Sequence, residues 1–215
     1  MRLGPITAVT IIVNELGSAL AFYQGRLGLI LTARGALTQP RALAMGEAGL
    51  IAAAYADLTH AEGTVPWLRL IEGSDAEALG AGRGWIGMHL RLPTLSDADE
   101  LIGPGGERLR AAHNLVPGPV ARLILGCTNP ASARSFYAGL GLLDGMEALA
   151  IGALQGGQQI DFINAKSAAA PQVLRTGICL VSFARSDARG QRLHGADDPS
   201  ARILGGAEGE GVELV

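Results

Sequence analysis

The chain has 215 residues, of which 48% are hydrophobic and 17% charged, and this composition excludes a disordered protein. Its formal net charge is −3, from 17 basic and 20 acidic residues with no basic run, which excludes binding to nucleic acid through the phosphates. Neither a signal segment nor an apolar run near the ~20 residues that span a bilayer is present, so a cytoplasmic protein without membrane contact is predicted.

The first structural unit opens with a β-branched, apolar run at residues 6–13, which predicts a largely buried strand. Asn14 is a good helix N-cap, and apolar residues then recur at helical spacing until Gly25 and Gly28 end the pattern. The predicted order of elements is β-α-β-β-β, because three further apolar stretches follow. They are Leu29 to Thr32, Arg41 to Tyr55 and Trp67 to Ile71.

The same order of elements returns in the second half of the chain. Thr128 is the predicted cap of the second helix, which ends in the same Phe-Tyr signature as the first. Phe22 and Phe136 are 114 positions apart (136 − 22), and so are Val9 and Leu123 (123 − 9). Because the register is kept from strand through helix, the sequence contains two copies of one structural unit.

A shorter unit follows each full one. The first has a strand from Trp85 to Leu92 and a capped helical turn from Ser96 to Leu101; the second has a strand from Gly177 to Phe183 and a closing strand at 211–215. A Pro-Gly linker at 116–119 separates the halves. The sequence therefore predicts an α+β fold with two halves, in each of which the second unit is shortened. These halves are 1–116, with a full unit at 5–72 and a short one at 84–115, and 117–215, with a full unit at 120–165 and a short one at 174–215.

The repeated unit resembles a known module. A β-branched strand, a polar cap, a helix ending in Phe-Tyr-x-x-x-Leu-Gly-Leu and a final Gly-Val-Glu-Leu-Val strand together resemble the βαβββ module of the vicinal-oxygen-chelate superfamily. That superfamily contains glyoxalases, bleomycin-resistance proteins and extradiol dioxygenases. The resemblance implies that paired modules form half-barrel clefts. It also implies a cleft metal, held by a histidine of a first strand and a glutamate of a last strand, which polarises substrate oxygens.

The resemblance places few metal ligands on this sequence. The histidine position of the first strands falls on Ala8, Gly87, Arg122 and Gly177. The glutamate position of the last strands falls on Arg69, Asp161 and Glu213 in the first, third and fourth units and stays unplaced in the second. Two carboxylates without a histidine are too few for the usual site. Neither a metal nor another cofactor is therefore predicted.

Arg122, Asp161 and Glu213 map to positions that converge in the family. The arginine is therefore predicted to lie between the two carboxylates, so that a buried ion network replaces the metal. The alternative is that one or more of the three point outward as ordinary charges at strand ends.

Two further residues are candidates for the cleft. Arg69 would suit an anionic ligand, although a salt bridge to Glu47 or Glu72 is the plainer interpretation. His89 shares the face of Gly87 by strand alternation and could reach the cleft, but a hydrogen-bonded histidine at the edge of the core is the preferred interpretation. No catalytic residue is assigned.

The remaining distinctive side chains are predicted to be structural. Tyr23 and Tyr137 of the signature are expected to pack the helices against the sheets. Cys127 and Cys179 stand in apolar runs and are expected to be packed thiols rather than disulfide partners, in keeping with a reducing cytoplasm.

Three functions stay open at this point. The first is a protein that binds a small molecule in a cleft without the usual metal. The second is a metal-dependent lyase, isomerase or dioxygenase with non-standard ligands such as His89 and Glu213. The third is a structural module with a filled cleft, whose degenerate units serve association. A small-molecule ligand is the expected partner, and a homodimer is compatible with all three.

Overall fold

The structure is a computed structural model that describes residues 3–61, 63–73, 84–96, 100–112, 118–144, 151–154, 157–165, 177–185, 202–207 and 210–215. The first unit contains a long strand, a helix, a second short helix and three strands. They are β1 Leu3–Val13, α1 Leu16–Leu27, β2 Ile30–Ala36, α2 Gln39–Ala44, β3 Ala54–Thr59 and β4 Leu68–Glu72. Residues 116 and 117 of the predicted linker lie outside the described ranges.

The other three units contribute the remaining strands and helix α3. The second contributes β5 Gly84–Leu90, β6 Glu100–Ile102 and β7 Arg108–Ala111. The third contributes β8 Val120–Cys127, α3 Pro130–Gly139, β9 Leu143–Asp144, β10 Ile151–Ala153 and β11 Gln159–Asn164. The fourth contributes β12 Gly177–Arg185, β13 Arg202–Gly205 and β14 Gly211–Leu214.

Helix α1 begins and ends for local reasons. Its N-cap is Glu15 rather than the predicted Asn14, because the Glu15 carboxylate accepts hydrogen bonds from the amides of Gly17 (2.8 Å) and Ser18 (2.6 Å). Gly28 ends the helix at φ +66°, a left-handed conformation that glycine adopts without a steric penalty. In α3 the cap is likewise one residue later than predicted, at Asn129, which binds the amide of Ser132.

Two local predictions are wrong. Residues 41–53 form α2 and a 3-10 turn at Ala48–Leu50 instead of a strand, because Pro40 stands in the first helical turn and alanine favours helix. Glu100 and Leu101, expected in a helical turn, lie in strand β6, while residues 97–99 of that turn lie outside the described residues.

The strands form two sheets of seven. Sheet 1 has the order β13-β14-β12-β1-β4-β3-β2, and sheet 2 has the order β6-β7-β5-β8-β11-β10-β9. Each sheet therefore joins one full unit to the short unit of the other half, through the antiparallel pairs β1–β12 and β5–β8. The boundary near residue 116 stays a prediction, but hydrogen bonding within the sheets crosses it.

One apolar core lies between the sheets and contains both α1 and α3. Strand alternation gives each sheet a core face, with residues such as Val9 and Leu123, and an opposite face, here called the outer face. The predicted role of the signature is confirmed, since Tyr23 and Tyr137 are fully buried in this core. Among the described residues, no helix has the length and apolar character needed to cross a lipid bilayer.

Candidate functional site

The pairing register shows which residues occupy the centre of each outer face. In sheet 2, Arg122 on β8 lies opposite His89 on β5; in sheet 1, Ala8 on β1 lies opposite Ser182 on β12. The sequence alignment instead places Gly87 and Gly177 at these positions in the short units. That placement is wrong, because Gly87 pairs with Ile124 and Gly177 pairs with Ile12, two and five residues along their strands from His89 and Ser182.

The last strand of each unit completes the two central sets. Glu213 lies beside Ser182, and Arg110 lies beside His89 in the same parallel arrangement, so Arg110 fills the position that the sequence left unplaced. In the full units Arg69 lies beside Thr10 and Asp161 lies beside Ile124, each two residues along the strand from Ala8 or Arg122. The central set of sheet 1 is thus Ala8, Ser182, Arg69 and Glu213, and that of sheet 2 is Arg122, His89, Asp161 and Arg110.

On sheet 1, Arg69 is buried and paired with an aspartate of a neighbouring strand. Its Nε and Nη2 donate to Oδ1 and Oδ2 of Asp57 on β3 at 2.7 and 2.8 Å, and its guanidinium lies 4.4 Å from the ring centroid of Tyr55. Burial lowers the pKa of Arg69, but the hydrogen bonds and charge of Asp57 outweigh this and raise it above its ordinary value. Arg69 therefore pairs across the strands with Asp57, and not with Glu47 or Glu72 as the sequence had suggested.

Glu213 is bound by residues that the sequence did not single out. Arg41 of α2 contacts both carboxylate oxygens, with Nη2 at 3.0 Å from Oε2, and Ser182 Oγ donates to Oε2 at 2.6 Å. The Arg41 and Glu213 side chains are only 5% and 0% exposed. The predicted network of Arg122 with both Asp161 and Glu213 is wrong, because units three and four contribute to different sheets.

The outer face of sheet 1 is covered by the chain itself. Residues 37–53, here called the cover segment, place Leu37, Ala42 and Leu50 against Ile12 and Ile71 of the sheet. Thr10, also on this face, has a buried hydroxyl without a hydrogen-bond partner among the described residues. The cover segment therefore fills the central part of the first predicted cleft, and a cavity remains between its residues 44–47 and strands β12 to β14.

On sheet 2 the polar residues stay accessible. Arg122 donates from Nη1 to Asp161 Oδ2 at 3.0 Å and from Nη2 to Gln159 Oε1 at 2.6 Å. The Arg122 and Asp161 side chains are 27% and 18% exposed. The structure thus brings together two of the three residues predicted to form one network, on a face that solvent reaches.

His89 and Arg110 complete this cluster. Burial, and next the positive charge of Arg122, lower the pKa of the half-buried His89, which is therefore neutral at pH 7. Arg110 is half exposed and donates to Glu100 Oε2 at 2.7 Å. We call Arg122, His89, Asp161, Arg110 and Gln159 the sheet 2 cluster.

The donors at the two centres do not fit a divalent metal. Within the described ranges, no group of three His, Cys, Asp or Glu side chains is placed to hold one. Sheet 1 supplies one carboxylate, already bound by Arg41, and sheet 2 supplies His89 and Asp161 next to two guanidinium groups, whose charge opposes a cation. His89 and Glu213, the ligand pair considered from the sequence, lie on different sheets.

A pair of buried glutamates was also missed by sequence reasoning. The hydroxyl of Tyr23 donates to Glu107, and that of Tyr137 donates to Glu210. Each bond joins the helix of a full unit to the residue just before the last strand of the short unit in its own predicted half. The available signal was the pattern Gly-x-x-Gly-Glu, which occurs at 103–107 and again at 206–210.

Burial raises the pKa of Glu107 to about 7, even though the Tyr23 hydrogen bond acts in the opposite direction. The pKa of Tyr23 is well above its ordinary value, because of burial and the adjacent Glu107 charge. These groups lie in the core and do not reach either outer face.

No family model and no curated protein sequence matches the chain. Solved structures do. A Bacillus subtilis protein with a provisional dioxygenase assignment is similar at a TM-score of 0.66 and 13% identity, over 99% of this chain and 85% of that one. Glyoxalase I from Zea mays is similar at 0.57 and 13%, over 98% and 91%. The cppA protein from Streptococcus pneumoniae is similar at 0.54 and 12%, over 98% and 99%.

These likenesses confirm the predicted α+β fold of repeated βαβββ units, which is the glyoxalase-like fold. At this level of identity the similarities show the fold alone. A shared fold does not by itself assign a function.

Proposed function

We propose that this chain, which has the glyoxalase-like fold, binds a small molecule on the outer face of sheet 2 without a divalent metal. The sheet 2 cluster carries the proposal: Arg122 is held in place by Asp161 and Gln159 but is still 27% exposed. An arginine fixed by two acceptors keeps its remaining N–H donors oriented, so a ligand that meets them pays little ordering cost.

Apolar groups beside the cluster support the same proposal. Ile163 and Ile102 stand on the outer face of sheet 2 and are 38% and 60% exposed. Exposed isoleucines next to oriented polar groups are the combination that small-molecule sites present. The outer face of sheet 1 lacks this combination, because the cover segment occupies it.

The two other functions are less well supported. A metal-dependent lyase, isomerase or dioxygenase requires ligands that neither central set supplies. A purely structural module with a filled cleft describes sheet 1 but leaves the accessible sheet 2 cluster without a role.

Chemical-shift mapping of the ¹⁵N-labelled protein against a fragment library tests the proposal. Binders are expected to shift the amides of β5, β8 and β11, to leave β1 and β12 unchanged, and to bind equally well after EDTA treatment. Elemental analysis is expected to find no stoichiometric divalent metal. Binding that EDTA abolishes would support the metal-dependent enzyme instead.

A cytoplasmic location and a homodimer stay predictions. Both described cysteines are free thiols, which fits the reducing compartment that the location implies.

A further inference from the structure

The outer face of sheet 2 has a polar end and an apolar end. Arg122 and Gln159 lie near the start of β8 and β11, and two residues further along the same strands stand Ile124 and Asp161, then Ile163. Side chains two residues apart on adjacent strands share one face and lie within reach of a single small molecule. A ligand that covers this face therefore meets a guanidinium at one end and isoleucine side chains at the other.

The charges on this face sum to a small positive value. Arg108, Arg110 and Arg122 oppose Glu100 and Asp161, and three positive against two negative groups leave a formal charge of +1 with His89 neutral. One excess positive charge matches a monoanion better than a dianion such as a phosphate monoester.

We infer that the ligand is an organic monocarboxylate, with its carboxylate on the free N–H donors of Arg122 and on the His89 imidazole, and its apolar body against Ile124 and Ile163. This inference rests on the proposed function. Arg122 uses one donor each towards Asp161 and Gln159, and a guanidinium has five. Neutral imidazole supplies a further donor from either ring nitrogen.

The pKa of His89 is a measure of whether a carboxylate is bound beside Arg122. The groups that face it are Arg122 on β8, Asp161 on β11, Arg110 on β7 and Glu100 on β6; the two arginines lower its pKa and the two carboxylates raise it. A carboxylate bound beside Arg122 adds a negative charge next to the imidazole, so it raises the pKa of His89. A neutral ligand of the same shape does not.

The experiment titrates the whole protein with hexanoate, hexanamide, acetate and hexyl phosphate, followed by the amide shifts of sheet 2 and by the His89 ring-proton shift against pH. Hexanoate is expected to bind, with a rise in the His89 pKa. Hexanamide and acetate are expected to bind roughly tenfold or more weakly, because each lacks one of the two interactions. Hexyl phosphate is expected to bind more weakly than hexanoate.

Arg122→Gln is expected to weaken hexanoate binding by roughly ten- to hundredfold, whereas Arg34→Gln, an exposed arginine of β2, leaves it unchanged. The titration of the unmodified protein does not depend on how either variant folds. Equal binding of hexanamide and hexanoate at sheet 2, or tighter binding of hexyl phosphate, overturns the carboxylate inference and leaves the proposed function standing. If neither the four probes nor the fragment library shifts sheet 2, both fail.

Discussion

The two outer faces hold equivalent places in a repeated fold, yet one is filled and the other is accessible. On sheet 1 the arginines are buried and paired, Arg69 of the sheet with Asp57 and Arg41 of the cover segment with Glu213. On sheet 2 Arg122 is paired but partly exposed. This difference shows that the repeat places charged residues on both outer faces, whereas a single covering segment decides whether they are buried or accessible to solvent.

The largest loss of stability is expected from the replacement of Arg41, which pairs with Glu213 on the outer face of sheet 1. Arg41→Ala leaves the fully buried Glu213 carboxylate without its cation, and such a loss costs about 3–5 kcal/mol of the free energy of unfolding. Urea denaturation at pH 7 measures it. The double variant Arg41→Ala with Glu213→Gln is expected to recover part of the loss. A loss below about 1 kcal/mol for the single variant would contradict the buried pairing.

The cover segment is expected to behave as core. Leu50 is fully buried against the outer face of sheet 1, and Leu50→Ala should cost about 2–5 kcal/mol. The matched change on sheet 2, Ile163→Ala, removes a side chain that is 38% exposed and should cost much less. Similar melting temperatures for the two variants would mean that the two faces do not differ in the way described.

Glu107, in the core shared by both sheets, should make the free energy of unfolding depend on pH. Because the folded-state pKa of Glu107 is about 7 and its ordinary value is 4.5, the folded state binds more protons between these values. The stability that this group contributes is present at low pH and is lost as the pH rises towards 7 and above. Glu107→Gln removes that dependence and keeps an acceptor for Tyr23.

Denaturant unfolding at pH 5 and pH 8 measures this effect. The stability of Glu107→Gln relative to the unmodified protein is expected to improve by roughly 2–3 kcal/mol between the two pH values. Glu100→Gln, on an exposed strand, is the control and should show no such trend. A pH-independent difference for Glu107→Gln would show that Glu107 is ionised throughout.

The smallest expected effect is on the accessible face. Arg122→Ala breaks a pair that is 27% and 18% exposed, so water screens the remaining Asp161 and the loss should be about 1 kcal/mol. Thermal unfolding at pH 7 checks this value. A loss as large as that of Arg41→Ala would mean that Arg122 serves stability as Arg41 does, and it would weaken the case for a ligand.

The sequence by itself determined the unit and its repetition. Local patterns of apolar spacing predicted the strand and helix of each unit. The separation of 114 positions between Phe22 and Phe136 showed that the unit is repeated. The candidate residues Arg69, His89, Arg122, Asp161 and Glu213 came from the resemblance to the family module, and all five lie on an outer face.

Only the tertiary structure decided which of these residues meet. Asp161 and Glu213 are separated because each sheet joins units from opposite halves, and local pattern carries no information about that pairing. His89 lies opposite Arg122 only because β5 pairs with β8, and Arg41 binds Glu213 across 172 positions. Contacts between residues so distant in sequence depend on how the sheets and the cover segment pack. Local residue spacing contains no information about that packing.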